Sequence, residues 1–280
     1  MHPDLNHSSL KNRVILITGG SRGLGWTMSD GLLKAGAKLV ITGARNKENL
    51  ATARAKAKKI AGSDHVFVLQ ADITEWSDCE AVIEKTLDRF GALHVLINNA
   101  GRGPIEIDPN FVQRRPKFWE TPSDGWRTII DTNINGSYLM AKAVAPHFIA
   151  QGFGKIINVS TSLTNMVYQG SSPYGSSKAA LEAASMSWAK DLEGTGVTVN
   201  VVEPGGGVDT DLIPGGVVGE RTPRLLSPSV MVAPALWLCS DLSNDTTAKR
   251  YIAKNWNPDT PIQEGEARAR CPSHSQPSIM

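Results

Sequence analysis

Val14-Ile-Leu-Ile17, followed at once by Thr18-Gly-Gly-Ser-Arg-Gly-Leu-Gly25, decides the architecture. A short run of apolar residues with no polar alternation is the pattern of a strand buried on both faces, as strands of a parallel sheet are. The glycines form a turn, and residues 26–35 then read as an amphipathic helix ended by Gly36. This order sets unpaired N–H groups and the positive end of a helix dipole beside the turn. The missing side chains there let the backbone approach an anion such as a pyrophosphate.

The alternation continues downstream. Lys38-Leu-Val-Ile-Thr42, Val66-Phe-Val-Leu69, Val95-Leu-Ile97, Lys155-Ile-Ile-Asn-Val159 and Thr198-Val-Asn-Val-Val202 read as strands two to six, and Arg250-Tyr-Ile-Ala-Lys-Asn-Trp256 as a last strand. Residues 46–60, 77–90, 126–150, 174–193 and 230–240 read as helices between them. Ser77-Asp-Cys-Glu80 has capping-box spacing, and Pro146 is expected to interrupt the 126–150 helix because it lacks an N–H. Residues 102–125 hold Pro104, Pro109, Pro116 and Pro122, which preclude a long helix. That loop follows the carboxyl end of a strand, where open α/β sheets bind ligands, so it is expected to enclose substrate. Residues 215–228 read as a mobile lid.

Composition narrows the function. The 280 residues suffice for one large core, and 29 basic against 27 acidic side chains leave a net charge of +2. No basic block points to nucleic acid or an anionic membrane, and no run approaches the roughly 18 apolar residues of a membrane span. The first twelve residues have no apolar core of the secretory kind. Cys79, Cys239 and Cys271 are scattered, which suits a reducing, cytoplasmic interior. His2, His7, His65, His94, His147 and His274 show no ligand spacing, so no metal is expected. The organisation expected is an N-terminal extension over residues 1–12, a single domain over 13–256, and a disordered tail over 257–280, which is polar and carries four prolines.

Tyr174-Gly-Ser-Ser-Lys178 carries the chemistry. Residues four apart share a helix face, so the phenol and the ammonium would point into one space. A phenol titrates near pH 10 when unperturbed, and a fixed cation beside it is expected to lower that value and make a proton donor.

Thr18-Gly-x-x-x-Gly-x-Gly25, Asn98-Asn-Ala-Gly101 and Tyr174-x-x-x-Lys178 stand in the order found in the single-domain short-chain dehydrogenase/reductases, and residues 11–256 resemble that family. The resemblance implies an α/β, three-layer, doubly wound Rossmann-type fold. Its sheet would be seven-stranded and mostly parallel, with helices on both faces. A nicotinamide cofactor would lie along Gly19, Ser21, Arg22, Gly23 and Gly25, with Asp72 beside the adenine and Asn99 along its length. Thr210, shortly after Pro204-Gly205, would touch the nicotinamide amide. Asn133, in Asp131-Thr-Asn-Ile134, would hold a water linking Lys178 to solvent, and Lys178 would also hold the nicotinamide ribose. The serine that the family places thirteen residues ahead of its tyrosine is replaced here by Thr161; Ser162 is the alternative hydroxyl.

Ile41-Thr-Gly-Ala-Arg45 has no acid to bind a ribose 2′-hydroxyl, and Arg22 and Arg45 would flank a 2′-phosphate, so NADP(H) is the cofactor expected. The reading is an NADP-dependent oxidoreductase moving a hydride between nicotinamide and a small-molecule ketone or alcohol, assembled as a homodimer or homotetramer. Two other readings fit the same motifs: a dinucleotide-binding sensor or scaffold without turnover, and dehydration or epimerisation with no net use of cofactor.

Overall fold

The structure is a computed structural model and describes residues 10–213 and 225–272. The chain alternates β1 (Val14–Ile17), α1 (Gly23–Lys34), β2 (Lys38–Gly43), α2 (Lys47–Ala61), β3 (Val66–Gln70), α3 (Trp76–Phe90) and β4 (Val95–Asn98). A proline-rich passage with one short helix, α4 (Phe111–Arg114), leads to α5 (Ser123–Ile130), α6 (Ser137–Gln151), β5 (Gly154–Val159), α7 (Leu163–Met166), α8 (Tyr174–Asp191) and β6 (Val197–Glu203). Then come α9 (Val232–Cys239), β7 (Lys249–Ile252) and α10 (Ile262–Ala269).

The sheet has seven strands in the order β3-β2-β1-β4-β5-β6-β7, every pair parallel. β1, β4, β5 and β6 are buried along their whole length, because each is covered on both faces. Alternate residues supply the two faces. Ile15, Ile17, Val95 and Ile97 join Leu32 and Leu236 in one core layer, while Leu16, Leu96 and Ile156 join Val82, Val144 and Phe148 in the other. The strand order reverses between β1 and β4, and the cleft that opens at their carboxyl ends is the switch point of a doubly wound sheet.

Several local expectations are corrected. α3 begins at Trp76 after Glu75, and Ser77 makes no capping box; Asp78 instead accepts from the Asp72 N–H at 2.8 Å. Pro146 sits inside α6 without breaking it, and the interruption is a wide π-turn at Asp131–Gly136. The turn packs closely at its end, where a Cβ on Gly136 would lie 2.7 Å from the Ile73 side chain. Strand β7 stops at Ile252 and gives way to a tight turn over Ala253–Asn255. Leu10, assigned to the N-terminal extension, is buried and donates its N–H to the Ala35 carbonyl at 3.1 Å.

The largest correction concerns the tail. Residues 262–269 form α10, which buries Ile262, Gly265 and Ala269. The Tyr251 hydroxyl donates to Glu266 Oε1 at 2.9 Å, Tyr251 and Arg270 form an antiparallel bridge, and the Cys271 N–H donates to the Arg250 carbonyl at 2.8 Å. The segment closes the open edge at β7, which would otherwise present unpaired backbone groups. Its buried face is made largely of small residues, so it carries little hydrophobic periodicity. The lid expected over residues 215–228 lies largely outside the described residues.

Candidate active site

A cleft of about 1100 Å³ opens at the switch point, and every residue singled out from the sequence lines it except Asn133, which lies behind Gly101. At one end the turn after β1 folds tightly against the loop after β4. Gly19 and Gly23 have φ of +61° and +52°, backbone that favours glycine. A Cβ on Gly25 would collide with the Gly19 carbonyl oxygen and the Asn99 side chain. Asn99 Nδ2 donates to the carbonyls of Thr18 (2.9 Å) and Gly19 (3.1 Å), while Thr18 Oγ1 accepts from the N–H groups of Asn99 (3.1 Å) and Ala100 (3.0 Å). No side chain caps the start of α1, so its first N–H groups stay available to an anion. Ser160 Oγ, buried in the same cleft, has no partner among the described residues. A cradle of bare backbone, a helix start and an orphaned hydroxyl fit a dinucleotide.

The far end is formed by the ends of β2 and β3. Gly43, Ala44, Arg45 and Asn46 line it. Asp72 accepts from Thr74 N (3.1 Å) and Thr74 Oγ1 (2.8 Å), so its carboxylate is anchored within its own loop. Arg22 reaches Asp211 Oδ2 at 3.0 Å, in a pair whose members are half and three-quarters exposed. The guanidinium therefore leans across the cleft, and the two arginines expected to flank a phosphate are differently engaged. Thr210 stands over the glycine turn, its methyl 3.4 Å from where a Gly23 Cβ would be.

Between these ends, α8 presents Tyr174 and Lys178. The helix start is fixed because Gly175 lies so close to α7 that a Cβ would collide with the Met166 carbonyl. Lys178 is buried and its Nζ donates to the Val159 carbonyl at 2.7 Å. Desolvation brings its pKa down to about 8, with the Glu182 carboxylate opposing. The Tyr174 phenol titrates above its ordinary value because it is enclosed; a hydrogen bond from Thr161 works the other way, and the Glu203 carboxylate adds to the rise. The sequence led us to expect Lys178 to lower the phenol's pKa. In this structure burial raises it instead, and the ammonium is turned onto a backbone carbonyl.

The two candidate hydroxyls separate cleanly. Thr161 is 4% exposed, lines the cleft together with Tyr174, and accepts from Asn165 Nδ2 at 3.2 Å. Ser162 caps α7, its Oγ accepting from the Asn165 N–H at 3.3 Å. Asn133, fully buried in the π-turn, accepts from the Arg102 N–H (2.7 Å) and donates to the Arg102 carbonyl (3.0 Å) and to Ser177 Oγ (2.9 Å). A Cβ on Gly101 would sit 3.3 Å from Asn133 Oδ1 and 3.7 Å from Lys178 Nζ, so glycine keeps the space between those groups open.

The proline-rich passage contributes Arg102, Pro104, Phe111, Val112 and Arg115 to the wall; Phe118 and Trp119, further along it, are about 70% exposed and stack edge-on away from the cleft. Residues not foreseen are Ser177, whose hydroxyl donates to the Tyr174 carbonyl at 2.7 Å, and Glu203 and Arg250, both in the wall beside the phenol. A carboxylate ending an otherwise apolar strand, Val197–Glu203, was the signal available for Glu203. Among the described residues no cluster of three His, Cys, Asp or Glu could hold a metal, and no helix is long and apolar enough to cross a membrane.

Comparison with known proteins agrees with this geometry. The short chain dehydrogenase family model matches residues 13–214. The gluconate 5-dehydrogenase of Gluconobacter oxydans is 32% identical over 243 residues, covering 85% of this chain and 82% of its own. A 3-oxoacyl-[acyl-carrier-protein] reductase of Thermotoga maritima is 32% identical over 196 residues, covering 70% and 74% respectively. A crystal structure described as that of a candidate gluconate dehydrogenase from Agrobacterium tumefaciens superposes with a TM-score of 0.75 at 26% identity, covering 88% of this chain and 96% of that one. The chain belongs to the short-chain dehydrogenase family, oxidoreductases that bind a nicotinamide dinucleotide and interconvert CH–OH and C=O groups.

Proposed function

We propose that this protein transfers a hydride reversibly between NADP(H) and a small-molecule ketone or alcohol, with Tyr174 as the acid–base group. The observation that carries the reading is that Tyr174, Lys178 and Thr161 line the same cleft as the glycine turn. The bound nicotinamide supplies or accepts the hydride. In reduction the phenol, held protonated at neutral pH by its enclosure, gives its proton to the carbonyl oxygen as negative charge develops there. Thr161 donates a hydrogen bond to that oxygen, a stabilisation present where charge forms. Lys178 holds the nicotinamide ribose, and Asn133, beside the space that Gly101 leaves open, holds a water that links Lys178 to solvent and resupplies the proton. Ser162 is a structural cap in this reading.

NADP(H) is favoured over NAD(H) because the end of β2 offers Gly43, Ala44 and Arg45 to the cleft and no carboxylate. The exposed Arg22–Asp211 pair, a contact of the kind worth about 0–1 kcal/mol, opens readily to a competing phosphate. Exposed Trp126, Tyr138 and Ile149 on α5 and α6 support assembly of copies through those helices, and three free cysteines suit a cytoplasmic setting. The test is Tyr174→Phe. Turnover of a carbonyl panel should fall by about 10³-fold or more, near the upper part of the general-acid range, while NADPH still binds. Near-normal turnover would remove Tyr174 from the mechanism.

A further inference from the structure

Beside the phenol lies a largely buried cluster of charge that the proposed reaction does not use. Glu203, the last residue of β6, is 1% exposed and accepts the Gly205 N–H at 2.5 Å. Arg250, beside it on β7, stands 3.6 Å from that carboxylate. The same guanidinium donates through Nε to both oxygens of Glu182 (3.0 and 3.1 Å), through a second nitrogen to the main-chain carbonyl of Thr161 (2.9 Å), and through the third to Cys271 Sγ (3.3 Å). Glu182 is one helical turn beyond Lys178 and two beyond Tyr174. One planar fork thus ties Thr161, which lines the cleft with the phenol, to the helix that carries the phenol.

Charge balance alone would not demand this geometry. A lysine would neutralise one carboxylate, but its three donors leave a single nitrogen and cannot span acceptors that the three nitrogens of a planar fork reach separately.

We propose that Arg250 is a positioning residue for the reaction: by holding the Thr161 carbonyl and Glu182 together it keeps the Thr161 hydroxyl on the Tyr174 phenol. This rests on the hydride-transfer reading above. Freed of the clamp, Thr161 loses its place, the phenol loses the hydrogen bond that restrains its pKa, and proton transfer slows. The charged groups around the phenol are Lys178 and Glu182 on its own helix, Glu203 on β6, Arg250 on β7 and Lys254 after it. All keep their charge when arginine is replaced by lysine.

The experiment compares wild type, Arg250→Lys, Thr161→Ala and the double variant, with Glu182→Gln/Glu203→Gln/Arg250→Met as a version that leaves neither carboxylate of the cluster unpaired should Arg250→Lys fold poorly. Arg250→Lys should melt near wild type and bind NADPH unchanged, yet lose on the order of 10²-fold in kcat, the cost of an ångström-scale misplacement. In the Thr161→Ala background the same change should cost less than about twofold, because the two act as one unit. Phenolate difference absorbance, with Tyr174→Phe as blank, should show Tyr174 titrating higher in Arg250→Lys, and to the same degree as in Thr161→Ala. Full activity in Arg250→Lys, losses that multiply in the double variant, or an unmoved phenol titration would overturn the proposal. A wild type that turns over no carbonyl while the titration still shifts would instead overturn the hydride-transfer reading and leave the clamp standing.

Discussion

Ending the chain after Thr260 removes α10 and the residues that follow it. The structure sets the cost. Ile262 is 2% exposed, and burying a side chain of that size stabilises by about 1.5–3 kcal/mol. The hydrogen bond from the Tyr251 hydroxyl to the Glu266 carboxylate (2.9 Å) contributes about 1.5–3 kcal/mol as a bond to a charged group. Gly265 packs so closely on Trp256 that a Cβ would lie 2.7 Å from its indole nitrogen, so removing the helix also uncovers Trp256 and the aromatic cluster it forms with Trp237 and Tyr251. The sum is about 4 kcal/mol or more, a large share of the roughly 5–15 kcal/mol that holds a domain together. At about 2–4 °C per kcal/mol for a chain of this size, the melting temperature should drop by roughly 10 °C. Turnover should fall as well, because Cys271 and its N–H brace Arg250. Calorimetry of the full chain and the shortened one measures the first effect, and steady-state kinetics the second. A melting temperature within about two degrees of the full chain, a shift smaller than one lost kcal/mol would give, would refute the docking of α10. Ile262→Ala gives a milder version, with about 2–5 kcal/mol lost, should the shortened chain fail to fold.

Thr161→Ala should lower kcat by about 10²–10³-fold as a lost oxyanion donor does, whereas Ser162→Ala should cost only about 1 kcal/mol of stability as a lost cap; the reverse ranking in kcat would move the role to Ser162. kcat/KM should favour NADPH over NADH, Asp211→Asn should lower KM for NADPH by releasing Arg22, and Gly43→Asp should shift preference toward NADH by repelling a 2′-phosphate; equal use of both cofactors by wild type would defeat the assignment. Lys155, buried on β5 with Nζ donating to Ser243 Oγ at 2.8 Å, has its pKa lowered by desolvation from 10.5 to about 8. Between those values the unfolded chain holds a proton that the folded one does not, so stability relative to Lys155→Met should rise across that window, on the order of 3 kcal/mol in all, and paired denaturant titrations from pH 7.5 to 10.5 that stay parallel would contradict it.

Much of the fold is legible because its signals are local. The apolar runs of β1, β4, β5 and β6 mark strands covered on both faces, and the glycines after β1 mark where backbone must pass close to backbone. Tyr174 and Lys178 sit one helical turn apart, so their facing one cleft is a property of the helix itself. The proposed preference for Thr161 over Ser162 draws on tertiary structure, since adjacent hydroxyls differ only in what surrounds them: a buried place in the cleft for one, a helix start for the other. The direction of the Tyr174 shift did too, because enclosure by distant segments sets its desolvation. α10 hid for a related reason, as its buried face is Ile262 and two small residues, one of which, Gly265, gains its value by fitting Trp256. Arg250 gathers Thr161, Glu182, Glu203 and Cys271 from four separate stretches of chain. Local spacing carries helix, strand and turn; which charges meet beside the phenol depends on strands laid side by side far from their order in the chain, and only the folded sheet sets that.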